Sequence, residues 1–83
     1  MKVLYFAWLR ERMARAEEDL PLPAGVATVG GLIDWLRARD PAGAHAFAQP
    51  GLVRAAVNQD FATAAAPVAD GDEVAFFPPV TGG

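Results

Sequence analysis

The chain finishes on FFPPVTGG, residues 76–83, so its last chemical group is the carboxylate of Gly83, carried on Gly82. A carboxylate on such an arm can be activated as an acyl group and threaded into a narrow cleft. Neither glycine has a Cβ, and each accepts almost any φ. Pro78-Pro79 just before the arm favours polyproline II, which has few states to lose when a partner grips it. Residues 78–83 reach at most about 20 Å at full extension. A folded body could therefore dock on a partner while its end enters a buried pocket. The competing reading is a frayed terminus without a role, common among domains.

No other group offers an active site of the chain's own. His45 sits among alanine, glycine and proline, with no nearby acid to orient it and no second histidine to share a metal. Glu17, Glu18 and Asp19 read as a solvated acidic run, and Asp70 and Asp72 as the flanks of a turn at Gly71. Gly30-Gly31 lacks the lysine and spacing of a phosphate loop. The absence of cysteine excludes disulfides, thiolate zinc and a thiol nucleophile, and fits a reducing, cytoplasmic setting. No metal site and no permanently bound cofactor are expected. A net charge of −3 without a lysine or arginine cluster argues against nucleic acid, and any electrostatic steering should come from a basic partner surface.

These 83 residues, 53% hydrophobic and 20% charged, make one small globular domain. Its expected extent is residues 1–77, with 78–83 as an extended C-terminal tail. The apolar run Val3–Leu9 lacks the cleavage signal of a secretory leader and is too short to cross a membrane, so residues 2–8 read as a first strand. Val3, Tyr5 and Ala7 should then face one way and Leu4, Phe6 and Trp8 the other, a second row too apolar for open solvent. Residues 10–15 suit one helical turn with Leu9 and Met13 inward, and 17–23, with two prolines, suits an edge strand. Thr28 is an expected N-cap for a helix whose apolar face is Val29, Leu32, Ile33 and Leu36. Pro41 should close that helix, with Gly43 in the turn beyond and 44–51 a loop or short helical turn. Alternation predicts strands at 53–58 and 73–77, and the order strand, strand, helix, strand, strand describes an α+β, β-grasp fold. Parity sends Phe77 away from the core where the tail leaves, and Phe6 and Phe61 would join it if the first and last strands are neighbours.

The segments KVLYFA at 2–7, Arg10-Glu11, AAVNQ at 55–59 and DGDEVAFFPPVTGG at 70–83 resemble the small-subunit (MoaD) family of molybdopterin synthase over nearly the whole length. The resemblance implies a ubiquitin-like β-grasp with a mixed sheet, a crossing helix and a flexible Gly-Gly tail. It also implies a sulfur carrier that is not catalytic alone. A ubiquitin-activating-type adenylyltransferase uses ATP to adenylate Gly83, the acyl-adenylate becomes a thiocarboxylate, and sulfur passes to cyclic pyranopterin monophosphate. Gly82 lends the tail slimness, and Phe6, Phe61, Phe77, Pro78, Pro79, Val80 and Thr81 contact the partner. That partner is the large synthase subunit, in a heterotetramer of two small and two large chains. Two alternatives share the Gly-Gly end, a thiamine-type sulfur carrier and a ubiquitin-like protein modifier.

Overall fold

The structure, a computed structural model, describes residues 1–79. Val80, Thr81, Gly82 and Gly83 lie outside the described residues. The alternation at the start of the chain forms β1 (Lys2–Tyr5), with Val3 and Tyr5 buried and Lys2 exposed. It lies inside a mixed five-stranded sheet of order β2-β1-β5-β3-β4. On one side β1 pairs antiparallel with the short edge strand β2 (Glu17–Asp19). On the other it runs parallel to β5 (Glu73–Phe77), with Val3 opposite Val74 and Tyr5 opposite Phe76. β3 (Arg54–Val57) pairs antiparallel with β5, and β4 (Asp60–Ala62) closes the second edge. Together with the helices this is the β-grasp architecture.

Helix α2 (Val29–Arg39) covers one sheet face with the four residues its spacing predicts, Val29, Leu32, Ile33 and Leu36, all buried. Thr28 caps it, its Oγ1 accepting from the Gly31 amide at 3.0 Å. The preceding amides are also satisfied: Val29 N donates to the Ala66 carbonyl and Gly30 N to that of Ala64. The alanine-rich loop after β4 thus caps the helix, and a Cβ on Gly30 would lie 3.2 Å from the Ala64 oxygen. The start of α2 therefore has no spare donors for an anion. Under the helix, Phe47 meets Phe76 edge-on at 5.1 Å and Tyr5 at 6.5 Å.

Several expectations shift. The first strand stops at Tyr5, because Ala7 takes φ 54°, ψ −131°, a conformation strained for any residue with a Cβ. Ala7 is exposed rather than core-facing, and Trp8 opens helix α1 (Trp8–Met13) instead of ending a strand. Leu9 and Met13 are buried on that helix as their spacing predicts. Pro41 closes α2 but also starts α3 (Pro41–Ala46), with Asp40 as N-cap, so Gly43 lies inside a helix. A 3₁₀ turn, Pro50–Leu52, follows. β4 is an addition: Asn58 and Gln59 both take positive φ and turn the chain back into it.

A polar cluster ties the weak edge strand to the core. Glu18 accepts from the Tyr5 hydroxyl at 2.6 Å and from both terminal nitrogens of Arg39 at 2.6 and 2.9 Å. Partial burial pushes the Glu18 carboxyl upward, but the hydrogen bonds from Arg39 and Tyr5 outweigh it and hold the pKa below the ordinary glutamate value. A depressed folded pKa contributes stability above the unfolded value and loses it as pH falls through the folded one. Glu18→Gln should lower the thermal midpoint at neutral pH. It should also shrink the further fall between about pH 5 and 3, as followed by circular dichroism.

Candidate functional site

The sheet face opposite α2 carries the candidate site. Val3, Tyr5, Val74 and Phe76 point to the core, so Leu4, Ala75 and Phe77 take the open face. Strand register lines up Leu4, Ala75, Ala56 and Phe61 across four strands. Two alanines between larger side chains leave a shallow apolar trough. In the next row Phe77 lies opposite Arg54, and its ring meets that of Phe61 edge-on at 5.9 Å.

Phe61 is 86% exposed and Phe6 48% exposed, while Phe77 is half-buried beneath the Phe61 ring. Phe6 shares the open face by alternation, and its amide extends the ladder by donating to the Phe76 carbonyl at 3.1 Å. Its ring pairs with neither of the other two. Pro78 and Pro79 follow directly from β5 at this end, half-buried and outside the ladder. The tail root thus emerges beside the Phe61 and Phe77 ring pair. Val80, Thr81, Gly82 and Gly83, the remaining expected site residues, lie outside the described residues.

Sequence reasoning named the phenylalanines but passed over Leu4, Ala56 and Ala75. The signal was the period-two row containing Leu4, which is too apolar for solvent. His45 is exposed at the end of α3, where its backbone carbonyl, not its ring, accepts from Arg12 at 3.4 Å. Among the described residues no group of three or more histidines or acids could hold a metal. No helix among them is long and apolar enough to cross a membrane.

The described residues thus place an apolar sheet face beside the root of the tail. A model of the ThiS family matches residues 3–83. The chain belongs to the ThiS family. Among curated members, the molybdopterin synthase sulfur carrier subunit of Escherichia coli is 42% identical over 83 residues, spanning 100% of this chain and 99% of the relative. The protein of the same name from Haemophilus influenzae is 35% identical over the same span. Solved structures agree in fold. A putative molybdopterin converting factor subunit 1 from Pyrococcus furiosus superposes with a TM-score of 0.75 at 32% identity, covering 95% of each chain. SAMP1 from Haloferax volcanii does so with 0.71 at 33%, covering 100% of this chain and 98% of its own.

Proposed function

We propose that this chain is the sulfur-carrier subunit of molybdopterin synthase, working in the cytoplasm. The observation that carries the reading is 42% identity with a protein of that name over 83 residues, a span that covers 100% of this chain. The Gly83 carboxylate attacks the α-phosphorus of ATP in an adenylating partner of the ubiquitin-activating type, and pyrophosphate leaves. Sulfur at the oxidation level of sulfide then attacks the acyl carbon, AMP leaves, and a thiocarboxylate remains. This sulfur is nucleophilic without any cysteine in the chain. Held in the large subunit, it bonds to cyclic pyranopterin monophosphate, water then cleaves the acyl–sulfur bond and returns the Gly83 carboxylate, and two such deliveries build the dithiolene. The substrate's phosphate needs a basic pocket, which belongs on the large subunit. ATP is a substrate of the activating partner, not a resident of this chain.

The open face supports the same reading. Phe6, Phe61 and Phe77 flank the tail root, so a partner that covers them holds the tail at a fixed distance from its own pocket. Pro78, Pro79, Val80 and Thr81 then line the path inward, and Gly82 passes the narrowest point. Assembly as two small subunits flanking a large-subunit dimer completes the proposal. Incubation with the activating enzyme, ATP and a sulfur source should add the mass of one sulfur-for-oxygen exchange in intact mass spectrometry. An unchanged mass, with the activating enzyme shown competent, overturns the reading. Phe77→Ala should weaken large-subunit binding by about 1–3 kcal/mol in calorimetry while the fold is retained.

A second reading draws on the likeness to the solved small archaeal modifier protein 1 of H. volcanii, which superposes with a TM-score of 0.71 at 32% identity. A modifier would form isopeptide bonds to lysines, and a ladder of covalent adducts on a tag blot would favour it. A thiamine-type carrier would instead supply a thiazole synthase and would fail to support the pterin step.

A further inference from the structure

Between α1, α3 and the 3₁₀ turn the helical layer leaves a hollow. It is a groove of about 470 Å³ lined by Trp8, Arg12, His45, Gln49 and Leu52, among others, and no carboxylate lines it. The chain's net charge of −3 hides this. Among the described residues the ion pairs gather elsewhere: Glu17 with Lys2, Glu18 with Arg15 and Arg39, Asp40 with Arg39, and Asp19 and Asp70 with the Met1 amine.

Arg12 has no ion-pair partner among the described residues. Its guanidinium lies over the Trp8 ring, 4.5 Å from the centroid, and its Nη1 donates to the His45 carbonyl at 3.4 Å. A guanidinium stacked on an indole has little freedom left to lose and keeps N–H edges available for a carboxylate. Leu52, 48% exposed, adds an apolar contact in the same groove.

The chain ties the groove to the candidate docking face at two points. Phe6 leads through Ala7 to Trp8, and Leu52 precedes by two residues Arg54, which lies opposite Phe77 in the sheet. Groove residues thus stand two positions from Phe6 and two from Arg54, the strand partner of Phe77. Area also favours an extended footprint. At about 150–250 Å² per aromatic side chain, the exposed parts of the three phenylalanines and Leu4 supply roughly 400 Å². A stable one-to-one interface takes roughly 800 Å² from each partner.

We infer that the large subunit, on the reading proposed above, continues round the tail root into this groove with an acidic–apolar segment. A carboxylate there meets Arg12, and an apolar neighbour packs on Leu52 and Trp8. The expectation of a basic partner surface, drawn from net charge, is thereby reversed at this end of the molecule.

The test is titration of the isolated large subunit with wild type, Arg12→Glu, Arg12→Lys, Leu52→Ala and Arg37→Glu, at low and high salt. Arg12→Glu should weaken binding roughly tenfold or more and flatten its salt dependence, with Arg12→Lys retaining part of the affinity. Leu52→Ala should cost about fivefold. Arg37→Glu, on the exposed side of α2, should bind as wild type. Thermal melts confirm that each variant is folded. If Phe77→Ala loses affinity while Arg12→Glu and Leu52→Ala bind normally, the groove inference is wrong and the docking face stands. If Phe77→Ala also binds normally, the docking face itself is wrong. If Arg12→Glu slows adenylation of the tail but spares large-subunit binding, the groove belongs to the activating enzyme and the inference fails.

Discussion

Adding a single alanine after Gly83 is expected to abolish sulfur loading and cofactor synthesis while leaving the folded domain untouched. The extension moves the terminal carboxylate by roughly 3.5 Å along the tail. It also replaces a residue without a side chain by one with a Cβ at the point of attack. Misplacing a reacting group by about 1 Å can already cost a hundredfold, so a shift of this size should take activity to background. Residues 1–79 keep every contact described above, and a surface change far from the core should alter stability by no more than about 0.5 kcal/mol. The contrast with Phe77→Ala is diagnostic. Weakened docking is rescued by raising the large-subunit concentration, whereas a displaced carboxylate is not. Intact mass after incubation with the activating enzyme, ATP and a sulfur source reads the result. Loading of the extended chain at the wild-type rate would show that the working atom is not the Gly83 carboxyl carbon.

How far the fold is legible in the residues depends on whether a local signal exists. Helix α2 carries a capping threonine, an apolar stripe at helical spacing and a closing proline, and all three act as read. β5 and its turn are equally plain, since Gly71 sits at φ 91° between two aspartates. The end of β1 is not legible. Apolar types run on from Tyr5 to Leu9, and the residue that breaks the strand is Ala7, where a glycine would have announced the positive φ. β4 escapes for the same reason: Asn58-Gln59 makes a tight reversal without the glycine that usually marks one, and the strand is three residues long. At the candidate site, alternation within one strand was enough to turn Phe77 outward. The trough of Leu4, Ala75, Ala56 and Phe61 needs the register of four strands, which no single segment encodes. Net charge, being a sum, says nothing of where Arg12 stands.

Gly43→Ala is expected to cost at least about 3 kcal/mol, the largest stability effect in the chain apart from gutting the core. α2 ends at Arg39, and Asp40, with extended backbone, caps α3 by accepting from the Gly43 amide at 2.8 Å. This sharp junction presses Gly43 against the preceding helix. A Cβ there would stand 1.8 Å from the Leu36 carbonyl oxygen and 2.8 Å from its carbon. Both are backbone atoms within a helix, so no side-chain rotation relieves the clash, and α3 must move away by more than 1 Å to restore ordinary contact at roughly 3.5 Å. That movement drags Ala46 and Phe47, and Phe47 holds the aromatic cluster that joins Tyr5 of β1 to Phe76 of β5. For a domain of this size the thermal midpoint should fall by more than about 12 °C. Gly31→Ala provides the control. Its new Cβ would meet the Thr28 Oγ1 at 3.4 Å, an ordinary contact, and alanine gains up to about 1 kcal/mol over glycine within a helix. The pair should therefore shift in opposite directions in parallel thermal melts. If Gly43→Ala melts within a few degrees of wild type, α3 can slide off Leu36 at little cost. The aromatic cluster would then not depend on the α2–α3 junction, and neither would the strand ends that present Phe6 and Phe77.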